Sequence, residues 1–354
     1  MNILEVFIKT LETPQINTAI IASLAIILLG YACRKRGIFD ATTGKTLTKV
    51  VLTLSLPALA YNAFMSDINP ETFNNGMGLL IWGILMYPIL IALTIPIYKN
   101  YQGDEKTALR VLSILGSTTF FGIPIVTAIY GPQGTLYASI FNIGYRIFLY
   151  SYGYIKMSGL PMKKENIKQM FLNPIVLATF FGLFVWITQA HLPQVMVMTE
   201  VDGQMVEKSV AFLRIDHTLP QLYQIFKYLG GLASPLAWLA IGSTLGAVSF
   251  KEAFSDQKTW YYTLVKLLFI PAINIAILFV LSLFNFPISL IGLGTVVIMM
   301  ATPPATVAVA YAISFDRDAL LASNASLLST LGAVIMAPIW IVIIELIGQF
   351  GWFV

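Results

Sequence analysis

The sequence predicts an all-α polytopic membrane protein, with ten transmembrane helices arranged as two inverted five-helix repeats. Three observations predict it. First, charged residues make up 11% of the 354 residues and hydrophobic ones 57%, with mean hydropathy +0.80. An average soluble domain carries about 25% charged residues, so this chain cannot build an ordinary soluble surface and the deficit must face lipid. Second, ten mostly apolar stretches each approach the roughly 20 residues a spanning helix needs. Third, the basic residues between those stretches fall almost entirely in alternate loops, and so on one side of the membrane. An aromatic content of 13% suits interfacial belts. The single cysteine, Cys33, allows no internal disulfide.

The elements follow in order. Residues 1–16 do not read as a signal peptide, because Glu5, Lys9 and Glu12 interrupt any apolar core. Ile3, Leu4, Phe7, Ile8 and Leu11 suggest instead a short amphipathic helix on the membrane, with a disordered tail as the alternative. Spans then fall at 17–33, 46–65, 76–98, 107–130, 134–155, 172–190, 222–248, 259–283, 288–314 and 319–347. Helices are the expected form, since in lipid a segment must satisfy its own backbone hydrogen bonds.

Lys and Arg orient the spans. Arg34, Lys35, Arg36, Lys45 and Lys49 follow span 1, and Lys99, Lys106 and Arg110 follow span 3. Lys156, Lys163, Lys164 and Lys168 follow span 5, Lys251 and Lys258 span 7, and Arg317 span 9. The opposite side holds only Lys9, Lys208 and Arg214. The basic side is therefore cytoplasmic and both termini lie outside. In this pattern the net charge of +4 orients a membrane protein and does not mark a nucleic-acid partner.

Five spans per half is an odd number, so the halves take opposite orientations, the plan of many secondary transporters. Landmarks recur in order. Pro57 in span 2 corresponds to Pro235 in span 7, Pro88 in span 3 to Pro271 in span 8, and Ala138-Ser139 in span 5 to Ala322-Ser323 in span 10. The starts of spans 1 and 6, Asn17-Thr18 and Asn173-Pro174, lie closer together. The difference is taken up by the polar stretch Gln194 to Pro220, expected to be an outside loop.

Spans 4 and 9 look discontinuous. Span 4 carries Gly116-Ser117-Thr118-Thr119 ahead of Gly122-Ile123-Pro124, and span 9 carries Thr302-Pro303-Pro304-Ala305-Thr306. Consecutive prolines remove two backbone donors and clash with the preceding turn. Broken helices at mid-membrane are tolerated where they line a cavity or meet a partner. Their half-helix N-termini carry partial positive charge, and two such ends facing one cavity make an anion site.

Arg146 sits near the centre of span 5, with Asn142 one turn away on the same face. Arginine at mid-bilayer costs about 3 kcal/mol on insertion scales and should face the bundle interior and meet an anion. None of the 17 acidic residues lies deep in a span, Glu345 near the outer end of span 10 being the nearest. An exogenous anion is the expected partner, since the guanidinium fork fits a carboxylate; pinning to backbone carbonyls is the alternative. Lys266, about seven residues inside span 8, reads as a snorkelling lysine, and Lys227 lies at the outer end of span 7.

Proton and sodium coupling usually run through buried Asp, Glu or His. Both histidines, His191 and His217, lie in the outside stretch, which points to uniport or anion exchange. Sodium held by backbone carbonyls of the breaks stays open as a symport alternative. No metal-spaced His cluster, phosphate-binding Gly-rich loop or paired carboxylate supports catalysis, and Ser323 and Ser326 lack a nearby base. No cofactor is expected. A membrane-embedded enzyme or receptor is the weaker alternative.

The stretch Gly30-Tyr31-Ala32-Cys33-Arg34-Lys35-Arg36-Gly37-Ile38-Phe39, followed by Leu54-Ser55-Leu56-Pro57-Ala58-Leu59, resembles the opening of the auxin efflux carrier family. Gly122-Ile123-Pro124, Asn173-Pro174, and Ala322-Ser323 running on to Ala337-Pro338-Ile339-Trp340 extend the resemblance over nearly the whole chain. It implies a scaffold of spans 1, 2, 6 and 7 (1–65 and 172–248, including the outside loop 191–221), often dimeric. It also implies a transport unit of spans 3–5 and 8–10 (76–155 and 259–347) moving as an elevator, with the broken spans 4 and 9 crossed beside the substrate. Plant members carry a Pro-Asn pair at the first crossing, where this chain has Gly116-Ser117, which argues against auxin. The short loop after span 5 and the resemblance to bacterial malate permeases imply a bacterial plasma-membrane carrier of malate or a similar small organic anion. The expected binding residues are Arg146, Asn142, Gly116, Ser117, Thr118, Thr119, Thr302, Pro303, Pro304, Ala305 and Thr306.

Overall fold

The computed structural model describes residues 14–160, 172–201, 204–247 and 251–353. Residues 1–13 of the expected amphipathic segment, and Lys163, Lys164 and Lys168, which were expected on the cytoplasmic side, lie outside the described residues. The described chain is almost entirely helical. Helix α1 spans Pro14–Lys35. Helix α2 (Thr43–Val50) runs through a π-helical turn, Val51–Ser55, into α3 (Leu56–Ala63). Helix α4 is Pro70–Ile97. Helix α5 (Gly103–Ile114) breaks before a second π-helical turn, Thr118–Gly122, and continues as α6 (Ile123–Phe148). A third such turn, Leu149–Gly153, leads into α7 (Tyr154–Ser158).

After α8 (Pro174–Thr188) come strands β1 (Gln194–Val201) and β2 (Gln204–Ala211) and the short α9 (Ile215–Thr218). Then follow α10 (Pro220–Gly231), α11 (Ala233–Ala247) and α12 (Lys251–Ser255). Helix α13 (Gln257–Leu264) passes through a π-helical turn, Val265–Phe269, into α14 (Ile270–Ser282). Helices α15 (Leu290–Met300), α16 (Thr306–Ser314) and α17 (Ala319–Gly348) complete the chain. Among the described residues four runs, Pro70–Ile97, Pro220–Gly246, Gln257–Ser282 and Ala319–Gly348, are long and apolar enough to cross a membrane. The single helix α6 bends between its halves at Gly131, whose positive φ of 59° only glycine adopts freely, followed by Pro132.

Prolines explain three of the four π-helical turns. Pro57, Pro124 and Pro271 each stand two residues past such a turn. A proline cannot donate to the carbonyl four residues back and its ring pushes that carbonyl away, so the preceding turn widens. The carbonyl orphaned by Pro271 belongs to Leu267, and Trp340 Nε1 donates to it at 2.8 Å. The sequence thus supplies an indole where it removes an amide.

Small residues set the closest helix contacts. A Cβ on Gly242 of α11 would lie 2.0 Å from the Ile27 carbonyl oxygen of α1, and one on Gly144 of α6 would lie 1.9 Å from the Gly83 carbonyl oxygen of α4. Backbones this close rely on glycine, as is usual between membrane helices. Helix α3 packs on α8 and α10, where Gly182 abuts Phe64 and Gly230 abuts Leu59. The helices α4 to α7 and α13 to α17 pack on one another around buried Trp82, Tyr87, Phe141 and Tyr262. Trp82 Nε1 donates to Asn274 Oδ1 at 3.0 Å, joining α4 to α14. On the basic side Arg317 pairs with Asp104 and Lys258 with Glu105, fastening the start of α5 to its neighbours.

Two expectations need correction. The stretch from Gln194 to Pro220 is not a plain loop: β1 and β2 pair antiparallel from Gln194↔Ala211 to Val201↔Gln204. Lys208 and Arg214 tie this hairpin to Asp67, both at 2.9 Å. Lys266 does not snorkel: it is fully buried in the Val265–Phe269 turn.

Candidate functional site

The two helix breaks meet. Leu115 leaves α5 in an extended conformation (φ −102°, ψ 92°), and Ala305 enters α16 extended (φ −58°, ψ 131°). Between them Gly116 and Pro304 form an antiparallel bridge. Ser117 N donates to the Pro303 carbonyl at 2.7 Å and Ala305 N to the Leu115 carbonyl at 2.8 Å. Each break therefore satisfies backbone groups that the other exposes, which removes much of the cost of unwinding helices inside a membrane. Gly116 is required at this point. A Cβ there would lie 2.5 Å from Thr302 Oγ1 and 2.9 Å from Lys266 Nζ.

Side chains fix the break on the α6 side. Thr118 Oγ1 donates to Asn142 Oδ1 at 2.7 Å, and Asn142 Nδ2 donates to Thr119 Oγ1 at 3.3 Å. Both ends of the amide are used, so Asn142 holds the turn Thr118–Gly122 against α6. Thr302 Oγ1 donates to the Met299 carbonyl at 2.8 Å and ends α15.

One turn beyond Asn142, Arg146 is 7% exposed and makes no hydrogen bond or ion pair with any described residue. It opens onto a cleft of about 90 Å³. Of the residues expected to bind substrate, Arg146, Ser117, Thr119, Ala305 and Thr306 line this cleft. Asn142, Gly116, Thr118, Thr302, Pro303 and Pro304 do not line it; they build the crossing beneath it.

The cleft also takes Tyr145, Tyr150, Leu52 and Asn173, which the sequence did not mark as site residues. Asn173 caps α8, its Oδ1 accepting from Ile175 N at 3.0 Å. The signal for Asn173 was present in the Asn-Pro that opens span 6; Leu52 and Tyr150 carried none. The first turns of α16 and α8, and the turn at Thr118, all border the cleft. First-turn amides lack intrahelical acceptors and carry the positive end of the helix dipole. With the Arg146 guanidinium they make the cleft electropositive, and among the described residues no Asp, Glu or His lines it. A volume near 90 Å³ holds roughly three waters, enough for a carboxylate head.

Over residues 15–341 the chain matches the family described as membrane transport protein. It is 22% identical over 346 residues to a protein of Methanothermobacter thermautotrophicus described as an uncharacterized transporter, covering 92% of this chain and 97% of that one.

Proposed function

Because the chain belongs to the membrane transport protein family, that of the auxin efflux carriers, it is a membrane transporter and not an enzyme, and we propose that it carries a small organic anion, malate or a similar carboxylate. The observation that carries the reading is Arg146. A buried guanidinium with no hydrogen-bond or ion-pair partner among the described residues, beside three helix N-termini, is arranged for an external anion. Coupling is by uniport or anion exchange. In support, no carboxylate or imidazole among the described residues borders the cleft to carry a proton.

The architecture we propose is ten spans in two inverted repeats, with crossed breaks at spans 4 and 9. The antiparallel bridge between Gly116 and Pro304 supports the crossing, and the bond from Trp82 to Asn274 joins the third span of one repeat to the third of the other. Helices α1 to α3, α8, α10 and α11 would be the scaffold, and α4 to α7 with α13 to α17 the moving unit. The cleft fits that division, since Leu52, Asn173 and Ile175 from the one group and Arg146, Ser117 and Thr306 from the other line it together. A C4 dicarboxylate is larger than the present cleft, so binding it requires the two walls to part. Both termini lie outside a bacterial plasma membrane, and apolar outer faces such as Ile21, Leu28 and Leu29 on α1 and Phe180 and Phe184 on α8 suit lipid or a second copy in a homodimer.

The test is uptake of labelled malate into liposomes holding purified protein, with and without internal malate. Arg146→Ala, shown to be folded by its melting curve, should lose at least about tenfold in flux, since a hydrogen bond to a charged group contributes about 1.5–3 kcal/mol. Undiminished flux in the variant would remove Arg146 from the site. Flux of other carboxylates but not malate would keep the site and change the substrate.

A further inference from the structure

The crossing has a second face. Away from the Arg146 cleft, Lys266 lies fully buried and donates from Nζ to the Ser113 carbonyl at 3.0 Å. Ser113 belongs to the last turn of α5, whose carbonyls have no partner within the helix and carry the negative end of its dipole. The end of α15 arrives at the same point: Thr302 Oγ1 and Lys266 Nζ both converge on Gly116. Lys266 has no ion pair with any described residue. An ammonium taken out of water costs several kcal/mol. One carbonyl bond returns part of that, and the return of the rest falls to the negative ends of the broken helices beside it.

In broken-helix transporters the C-terminal ends of half-helices are where a coupling cation sits. We propose that the Lys266 ammonium is a tethered cation at this position, neutralising the carbonyl ends of the broken helices, so that anion transport by this chain needs no sodium. This rests on reading the crossing as the transport site. One chain thereby supplies both signs: a fixed cation at the carbonyl end of α5, close to where α15 ends, and an exchangeable anion at the amide ends of α16 and the Thr118 turn. The Val265–Phe269 π-helical turn, widened ahead of Pro271, carries Lys266 at this place.

The test does not depend on the identity of the anion. Melting temperatures of the purified protein are measured in sodium, methylammonium and choline chloride at equal ionic strength. Wild type should melt alike in all three. Lys266→Ala should melt lower in choline and regain much of the loss in sodium or methylammonium, which fit the space left by the ammonium, while choline does not. Lys266→Met, which fills the stem without a charge, should stay low in all three. Wild type stabilised by sodium, Lys266→Met equal to wild type, or Lys266→Ala blind to the cation would each overturn the proposal. Should Lys266→Ala fail to fold, wild type and Lys266→Met still decide it. In liposomes, wild-type flux should be unchanged when choline replaces sodium on both sides. Absence of malate flux in wild type would count against malate alone, and the melting data would stand.

Discussion

Asn142 and Arg146 stand one turn apart on α6 and divide the work of the site between them. Asn142 holds the break through Thr118 and Thr119 and does not reach the cleft, whereas Arg146 reaches the cleft and holds nothing. Their substitutions should therefore differ in kind. Asn142→Ala leaves the buried Thr118 hydroxyl without its acceptor, at a cost of about 1–3 kcal/mol. It should lower the melting temperature and the maximal flux while leaving KM for the anion nearly unchanged. Arg146→Lys keeps the charge but loses the planar fork, so it should raise KM with little change in melting temperature. Concentration-dependent uptake by the two variants checks both; a shared KM effect would mean that Asn142 also touches the anion. The four-residue spacing made their common face legible in sequence. Which polar group each would meet was not, because that depends on how the Thr118–Gly122 turn is rotated against α6.

At the scale of elements, the β1–β2 hairpin braces the loop between α3 and α4. Asp67 in that loop accepts from Lys208 and from Arg214, and Arg214 is also held by Asp216 and Gln189. The Lys208 hydrogen bond, then Arg214, holds the Asp67 carboxyl below its usual pKa, against a partial burial that would raise it. A carboxylate whose pKa is depressed in the folded state stabilises above its unfolded value and loses that contribution as pH falls through the folded one. The hairpin should therefore stay docked at neutral and mildly acid pH and loosen only below the ordinary range for aspartate. Asp67 is mostly exposed, so Asp67→Asn should cost no more than about 1 kcal/mol. Hydrogen exchange of the β1 and β2 amides at neutral pH should be faster in Asp67→Asn than in wild type, and the two should converge in strong acid. A hairpin equally protected in both would assign its docking to apolar contacts such as Val210. The strands were readable in principle: Val195 and Val197 alternate with Met196 and Met198, and Asp-Gly, as at 202–203 of the sequence, is a dipeptide that favours hairpin turns. Weighing the stretch by polarity alone hid that alternation. Lys266 was misjudged for a related reason, since counting residues from a helix end gives depth but not the side of the helix that faces the crossing.

At the scale of the molecule, the long apolar helices and both breaks were legible because their causes are local: apolar length and prolines. The cleft was only partly legible because it is assembled from distant segments. Leu52 of the Val51–Ser55 turn, Asn173 ahead of α8 and Val307 of α16 approach one another only after the helices pack. That assembly also provides the sharpest test of movement. Glycine contacts lock α1 to α11 and α4 to α6 at backbone distance, so each pair should move as a rigid body. The cleft, by contrast, is lined both by Leu52 of the proposed scaffold and by Val307 of the proposed moving unit. Replacing the lone Cys33 by serine gives a background for Leu52→Cys with Val307→Cys. Bridging that pair with a short bifunctional thiol reagent should stop anion flux, and cleaving the bridge should restore it. The single-cysteine variants treated alike should keep their flux. Continued transport with the bridge formed would mean that the two walls do not separate during the cycle, and the carrier would then have to open the site by local gating at the breaks.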